Sequence, residues 1–352
     1  LKHPRTAVSK EDARLIHTLI WIAGFLILGV LVGMTSQRAG ERRDRTLHPP
    51  PGKFVNLGTH RLHLLEEGRG SPTIILEAGL MSTNLSWTDI RRKLAESYRV
   101  VTYDRAGLGW SDVGPMPRTA ERIVDELHLL LELATIPRPY ILVGHSFGGL
   151  TMPLFAARYP EKIAGMVLVD PVVPAEWNPP SEHDLKRATI GAAVCRRAAL
   201  LSRAGVIRFV AFLLNSRAKK VASHIVRLIS RGTPADSGSV SSPWFWNLPP
   251  IERQMASVFW VQEKFCNTIA SQLESLPESA RRIAELDNLC DKPVVILSAK
   301  STPANRREQH MLITQRLPQG RHVFAGNSTH WIMQDEPELV LDAIHAVAQS
   351  NS

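Results

Sequence analysis

The run Gly144-His145-Ser146-Phe147-Gly148-Gly149 follows the apolar stretch Tyr140 to Val143 and precedes a helix-like segment from Leu150 to Tyr159. A serine between a strand and a helix sits on a strained turn that needs small neighbours. The turn lifts its hydroxyl off the sheet, beside the free N–H groups of the helix N-terminus. Such a hydroxyl becomes a nucleophile only with a base in reach and a carboxylate to orient the base. The chemistry open to such a segment is nucleophilic catalysis by the Ser146 hydroxyl, given those two partners. G-x-S-x-G alone is a weak signal, and the strand before it and the helix after it supply the context. His145 adjoins the serine, but neighbours on a tight turn point different ways, so it reads as structural. The other histidines lack metal-ligand spacing and H-E-x-x-H is absent. Cys195, Cys266 and Cys290 are odd in number and without CxxC spacing, which excludes a disulfide scaffold or zinc ribbon and leaves them as buried or idle thiols. Nucleophilic catalysis of this kind needs no metal and no cofactor.

The elements that must hold this turn are legible as alternating strands and helices. The chain has 352 residues, 44% of them hydrophobic, enough for a sizeable core. Phe54 to Leu57 and Arg61 to Leu65 flank Gly58-Thr59-His60 and predict a hairpin. Short apolar runs follow at Thr73–Leu76, Arg99–Tyr103, Tyr140–Val143, Met166–Val169, Val294–Leu297 and His322–Phe324, separated by amphipathic stretches such as Ala120–Ala134. Continuous apolar strands alternating with helices predict an α/β fold with a buried, mostly parallel sheet covered on both faces.

Ahead of this domain, Leu15 to Met34 is a twenty-residue run without Asp, Glu, Lys or Arg. As a helix it spans about 30 Å, the thickness of a bilayer's hydrocarbon core. A transmembrane helix is expected here. The rival is a cleaved signal peptide, against which stand the length of the run and the lack of an A-x-A-like site after it. Lys2, Arg5, Lys10 and Arg14 precede the run while Arg38, Arg42, Arg43 and Arg45 follow it, so the charge rule does not orient it. The chain opens with Leu1 rather than Met, which suggests a trimmed or unusually initiated start, and charges upstream of it could break the tie. The Arg-rich stretch ending in Pro49-Pro50-Pro51-Gly52 reads as a stiff exposed linker. The expected organisation is a basic flank over 1–14, the transmembrane helix over 15–34 and the linker over 35–53. A catalytic core over 54–173 and 293–352 follows, interrupted by an insertion over 174–292. Residues 1–45 carry +4 and residues 182–232 carry +9, which against a net charge of +9 leaves the remainder mildly acidic at −4. With no Arg/Lys stripe and no zinc-finger, KH or RRM signature there, nucleic acid is not expected as a partner.

Three landmarks in order resemble the α/β-hydrolase fold superfamily, specifically its serine esterase and lipase-like members. They are the turn around Ser146, the segment Tyr103-Asp104-Arg105-Ala106-Gly107-Leu108-Gly109-Trp110-Ser111, similar to a D-x-x-G-x-G-x-S turn, and Asn327-Ser328-Thr329-His330-Trp331 with Glu336-Pro337-Glu338, similar to a C-terminal histidine loop. The resemblance runs from about Phe54 to the C-terminus. It implies Ser146 as nucleophile, His330 as general base and an oxyanion hole made of two main-chain N–H groups. One of these would be Phe147. The other falls on Leu80, with Met81 as the neighbouring register, although Ala78 stands where the family often has His. The triad acid departs further. In many members an Asp follows the strand matched by Val294–Leu297, but Ser298–Pro303 contains none. Haloalkane-dehalogenase-like relatives place the acid after the strand that follows the nucleophile's helix, and here that strand ends in Asp170. Asp170 would then lie at the carboxyl edge of the sheet, one strand from Ser146, with Glu308 as the first substitute.

The resemblance makes the insertion a helical cap over Ser146. Its basic half, Ala192 to Arg231, mixes apolar clusters with Arg and Lys. It reads either as a cap helix with solvated charges or as a lid that rests on anionic lipid. Ser241-Ser242-Pro243-Trp244-Phe245-Trp246 would line the pocket or pack the cap. The resulting expectation is a membrane-tethered serine hydrolase acting on a small-molecule ester or lipid. Amide, thioester or carbon-carbon hydrolysis and a slow-turnover, receptor-like role are the alternatives, and oligomeric state is left open. Epoxide hydrolases and haloalkane dehalogenases need Asp at the elbow, which Ser146 disfavours.

Overall fold

Eight strands form one sheet in a computed structural model that describes residues 10–214, 248, 250–286 and 291–350. They are β1 (Lys53–Asn56), β2 (Arg61–Glu67), β3 (Thr73–Glu77), β4 (Arg99–Tyr103), β5 (Tyr140–His145), β6 (Ile163–Val169), β7 (Val294–Ala299) and β8 (Gly320–Ala325). Their order across the sheet is β1-β2-β4-β3-β5-β6-β7-β8. The first two pair antiparallel as the predicted hairpin, β2 pairs antiparallel with β4, and all other pairs are parallel. Because side chains alternate across a strand, each apolar run feeds two cores. Ile74, Leu76, Ile141, Val143, Val167 and Val169 pack on one face, and Ile75, Leu142, Met166, Leu168 and Ile296 on the other. This is the mostly parallel sheet that the alternation of apolar strands and helices predicts. After β3 the chain moves to β4 on one side, then crosses to β5 on the other. The carboxyl ends of β3 and β5 thus border the crevice where open α/β sheets bind ligands.

Among the described residues the helices in chain order are α1 (Lys10–Leu47), α2 (Thr88–Leu94), α3 (Ala120–Leu133), α4 (Gly148–Arg158), α5 (Glu182–Arg203), α6 (Val206–Leu214), α7 (Pro250–Trp260), α8 (Glu263–Glu274), α9 (Leu276–Ala284), α10 (Ala304–Arg316), α11 (Ile332–Asp335) and α12 (Pro337–Gln349). Helices α5 to α9 fall between β6 and β7 and form the inserted cap. Ala199, Ala256, Phe259, Phe265 and Ile269 join one apolar cluster with Leu80, Met81 and Trp110, so the cap rests on the loops that follow β3 and β4. Two cap arginines are paired rather than merely solvated: Arg196 with Glu274 at 2.7 Å and Arg208 with Asp44 at 2.7 Å. Residues 215–231 of the basic segment, the aromatic run at 241–246 and Cys290 lie outside the described residues, as do Lys2 and Arg5.

The exposed linker expected over 35–53 is corrected by α1, which continues unbroken to Leu47. Thr35–Leu47 holds no proline and carries four Arg with one Glu and one Gln, good helix formers, and Pro49-Pro50-Pro51 supplies the stop. The segment is also docked. Gln37 is buried, its amide donating to the Val261 carbonyl at 3.1 Å and its oxygen accepting from Arg208 at 2.9 Å. Beyond the helix, the Trp110 indole donates to the His48 carbonyl at 3.1 Å and the His63 Nε2–H donates to that of Pro51.

Candidate active site

The strand β5 ends at His145 and α4 begins at Gly148, leaving Ser146 on the turn with φ of 51°, a left-handed conformation strained for serine. Main-chain bonds hold the turn in place: the Ser146 N–H donates to the Val169 carbonyl at 3.0 Å, and the Ser146 carbonyl accepts from Val172 at 2.9 Å. The next residue of β6's edge, Asp170, has φ of 43° and donates its own N–H to Leu297 on β7 at 2.8 Å. The ends of three neighbouring strands are thus laced together, which fixes the serine and the carboxylate relative to one another.

His330 comes from the loop after β8, 160 residues from Asp170, and its Nδ1 lies 2.6 Å from Asp170 Oδ2. A carboxylate only accepts, so Nδ1 carries the proton and Nε2 keeps a lone pair for accepting another. Asp335 clamps the loop by accepting from the Thr329 N–H at 2.8 Å, and Glu336 does so by accepting from the Asn327 N–H at 2.9 Å. The second oxygen of Asp170 accepts from the Thr302 hydroxyl. Burial alone would push the Asp170 carboxyl up. The hydrogen bond and charge of His330, with the Thr302 bond, outweigh it and hold the group at about 2. Asp170 is therefore ionised at neutral pH. Glu308 lies exposed on α10 and has no polar contact with His330 among the described residues.

The Ser146 hydroxyl has no hydrogen-bond partner among the described residues, His330 included, and such contacts are often loose until substrate is bound. The main-chain N–H groups of Leu80, Met81 and Phe147 likewise donate to no acceptor among the described residues. Leu80 follows β3 and Phe147 caps α4, so both edge the crevice beside Ser146. Gly79 allows this approach: a Cβ there would fall 2.8 Å from His145 Nδ1 and 3.3 Å from Ser146 Cβ. Beneath the loop, the buried Arg105 donates to the Glu77 carboxylate, to the Ala78 carbonyl at 2.6 Å and to the Gly79 carbonyl at 2.6 Å. One side chain thus fixes three consecutive residues that lead to Leu80. Burial raises the Glu77 carboxyl, against the charge of Arg105.

His145 does more than the sequence implies. It is fully buried, burial pushes its imidazole down to about 3, and its Nε2–H donates to the His330 carbonyl at 2.9 Å. Its ring lies 4.6 Å from those of His330 and Trp331. A neutral histidine thus ties the turn that carries Ser146 to the loop that carries His330. Only the identity of the residue before Ser146 hinted at this, because the acceptor is 185 residues away. His145→Phe, which keeps a ring but loses the donor, is expected to lower kcat on a soluble aryl ester by about 3- to 10-fold, the value of one neutral hydrogen bond, with KM little changed. Steady-state kinetics on the purified variant checks it.

Residues 72–337 match a family model described as alpha/beta hydrolase fold. Among curated proteins, a probable transporter of Hormonema carpetanum is 41% identical over 133 residues, 36% of this chain and 19% of that protein. The chain spans less than half the length of the curated relatives it matches. Among solved structures, a thermophilic esterase from Thermogutta terrifontis superposes with a TM-score of 0.58 at 21% identity, over 85% of this chain and 99% of that one. A putative epoxide hydrolase from Pseudomonas aeruginosa, solved as a mutant, gives 0.63 at 16% identity over 85% and 96%. At these identities the two structures speak for the shared fold.

Proposed function

Because this chain belongs to the α/β-hydrolase fold family, we propose that it is a membrane-tethered serine hydrolase that cleaves carboxylic esters, lipophilic ones foremost, through an acyl-enzyme. The observation that carries the reading is the 2.6 Å bond from His330 to the ionised, buried Asp170, with the strained Ser146 turn on the adjoining strand. In this reading His330 Nε2 takes the Ser146 proton as Oγ attacks the ester carbonyl. Asp170 stabilises the imidazolium, and the N–H groups of Phe147 and Leu80 receive the oxyanion. Collapse of the tetrahedral intermediate expels the alcohol, which takes the proton from His330. Water, activated by the same base, then frees the acid and restores Ser146. The apolar cluster of Leu80, Met81, Trp110 and Phe259 under the cap supports a lipophilic substrate. The test is a series of p-nitrophenyl esters from acetate to palmitate, with turnover counted after active-site titration by a fluorophosphonate. Many turnovers per labelled Ser146, faster with longer chains, are expected. Release of a single equivalent would replace the enzyme with a receptor-like protein.

The tether rests on residues 15–34. The helix is exposed from Leu15 to Val32, and its most apolar eighteen residues have a mean hydropathy of 2.5. Burying such a helix in lipid satisfies its backbone internally and is strongly favourable. The full chain should stay in the membrane pellet after an alkaline carbonate wash, and a chain of residues 35–352, which keeps Gln37 and Asp44 on the cap, should move to the supernatant. A soluble full-length product with a new N-terminus near Thr35 would replace the anchor with a signal peptide.

A further inference from the structure

Helix α6 carries the sequence VIRFVAFLL and has two dissimilar sides. Val210 is buried, and Arg208 reaches inward to Gln37 and Asp44 on α1. Phe209 and Phe212, three residues apart and so on one face, are 57% and 67% exposed, and Leu200 near the end of α5 is 68% exposed. Large apolar side chains grouped on a surface mark a contact. Their position says with what. The turn between α5 and α6 lies directly on Gly33: a Cβ on Gly33 would fall 2.0 Å from the Ala204 carbonyl oxygen, and one on Gly205 2.4 Å from that of Gly33. Gly33 is the penultimate residue of the apolar run 15–34, whose large side chains from Leu15 to Val32 are all exposed. The first turn of α6 is thereby pinned where that run ends. At 1.5 Å per residue, Phe209 lies about 6 Å and Phe212 about 10 Å along the helix from Gly205, so both stay near the point where the apolar run ends. Exposed Arg38, Arg42 and Arg43 on α1 and Arg203 at the end of α5 outnumber the half-buried Glu41 and Glu263, which with Arg38 and Arg203 line a cavity beside Met34.

We propose that α6, through Phe209 and Phe212 together with Leu200, is the surface on which the cap rests in the interface of an anionic leaflet, beside the point where α1 leaves the bilayer. This rests on the reading of residues 15–34 as a membrane span. An amphipathic helix lying in the interface buries its aromatic side among the acyl chains while its basic surroundings meet anionic lipid. Docked in this way, the cap is fixed relative to the membrane at two points, the span and α6. A lipid-borne ester can then reach the crevice beneath the cap from the leaflet.

The test places a nitroxide on single cysteines in the full chain: Phe209→Cys, Phe212→Cys, Leu26→Cys in the span and Glu308→Cys on α10. Cys290 is replaced by Ser, and labelling is done at pH 7, where burial keeps the thiols of Cys195 and Cys266 protonated. The proteins are reconstituted into vesicles of phosphatidylcholine with about a third phosphatidylserine. Relaxation by oxygen, which concentrates in lipid, is compared with relaxation by a water-soluble nickel chelate. Labels at 209 and 212 are expected to follow the label at 26, with oxygen several-fold more effective than nickel, while the label at 308 shows the reverse. If 209 and 212 behave like 308 while 26 still reports lipid, the docking proposal fails and the span stands. If 26 also behaves like 308, the span fails and the proposal with it. Dipolar broadening between labels at 212, without an oxygen preference, would assign the patch to a second copy of the chain and overturn the lipid assignment.

Discussion

Ser146→Ala should abolish turnover and fluorophosphonate labelling while the protein keeps its fold. The loss in kcat is expected to exceed about 10³-fold, as when one member of a catalytic unit is removed, because the remaining groups then have no nucleophile to act on. The variant is a clean test on structural grounds. Ser146 is only partly buried, its hydroxyl has no hydrogen-bond partner among the described residues, and the main-chain bonds to Val169 and Val172 that shape the turn do not involve the side chain. Alanine also tolerates φ of 51° no worse than serine does. Thermal melting and ester kinetics on the same preparation decide it. Unchanged hydrolysis by the purified variant would end the serine-hydrolase reading.

Asp170→Asn should lower kcat by up to about 10⁴-fold, the cost of an uncharged orienting group in a comparable triad. An amide cannot stabilise the imidazolium that forms as Ser146 attacks, and its NH₂ facing Nδ1 favours the tautomer whose Nε2 is already protonated. The backbone does not confuse the result, since Asp170 has φ of 43° and asparagine accepts that region as readily as aspartate. The melting temperature at pH 7 should fall by no more than about a few degrees. Glu308→Gln, on the exposed side of α10, should leave activity within about threefold. A crippled Glu308→Gln with an active Asp170→Asn would reverse the assignment. The sign of the pH dependence follows from the same group. The folded carboxyl is depressed to about 2 from 3.8, so its contribution to stability is fully present above about pH 5. It fades as the pH falls toward 2, and Asp170→Asn should flatten that part of the acid-unfolding profile.

What the sequence discloses here is mostly local. The elbow around Ser146 and the apolar strand runs are readable because the signal for each lies within a few residues. The pairing of Asp170 with His330 is not readable in that way: the two are 160 positions apart, and only the order of strands across the sheet brings them together. His145 has the same difficulty, since its role depends on a carbonyl on another loop. The misreading of 35–47 has a different cause. That segment has no apolar stripe and reads as linker, and its helix is fixed by single polar contacts such as Gln37 with Val261 and Asp44 with Arg208. Periodicity carries no trace of such contacts.

The bond from Thr302 to Asp170 has a consequence for how such a site can change over generations. β6 and β7 are neighbours, and their ends present two seats, 132 residues apart in sequence, that converge on one negative charge. A carboxylate could relocate from one seat to the other while the nucleophile and the base stay where they are, passing through a chain that holds both. In a column-by-column comparison of such chains the acid would seem lost in one and gained in another. In space it would scarcely have moved.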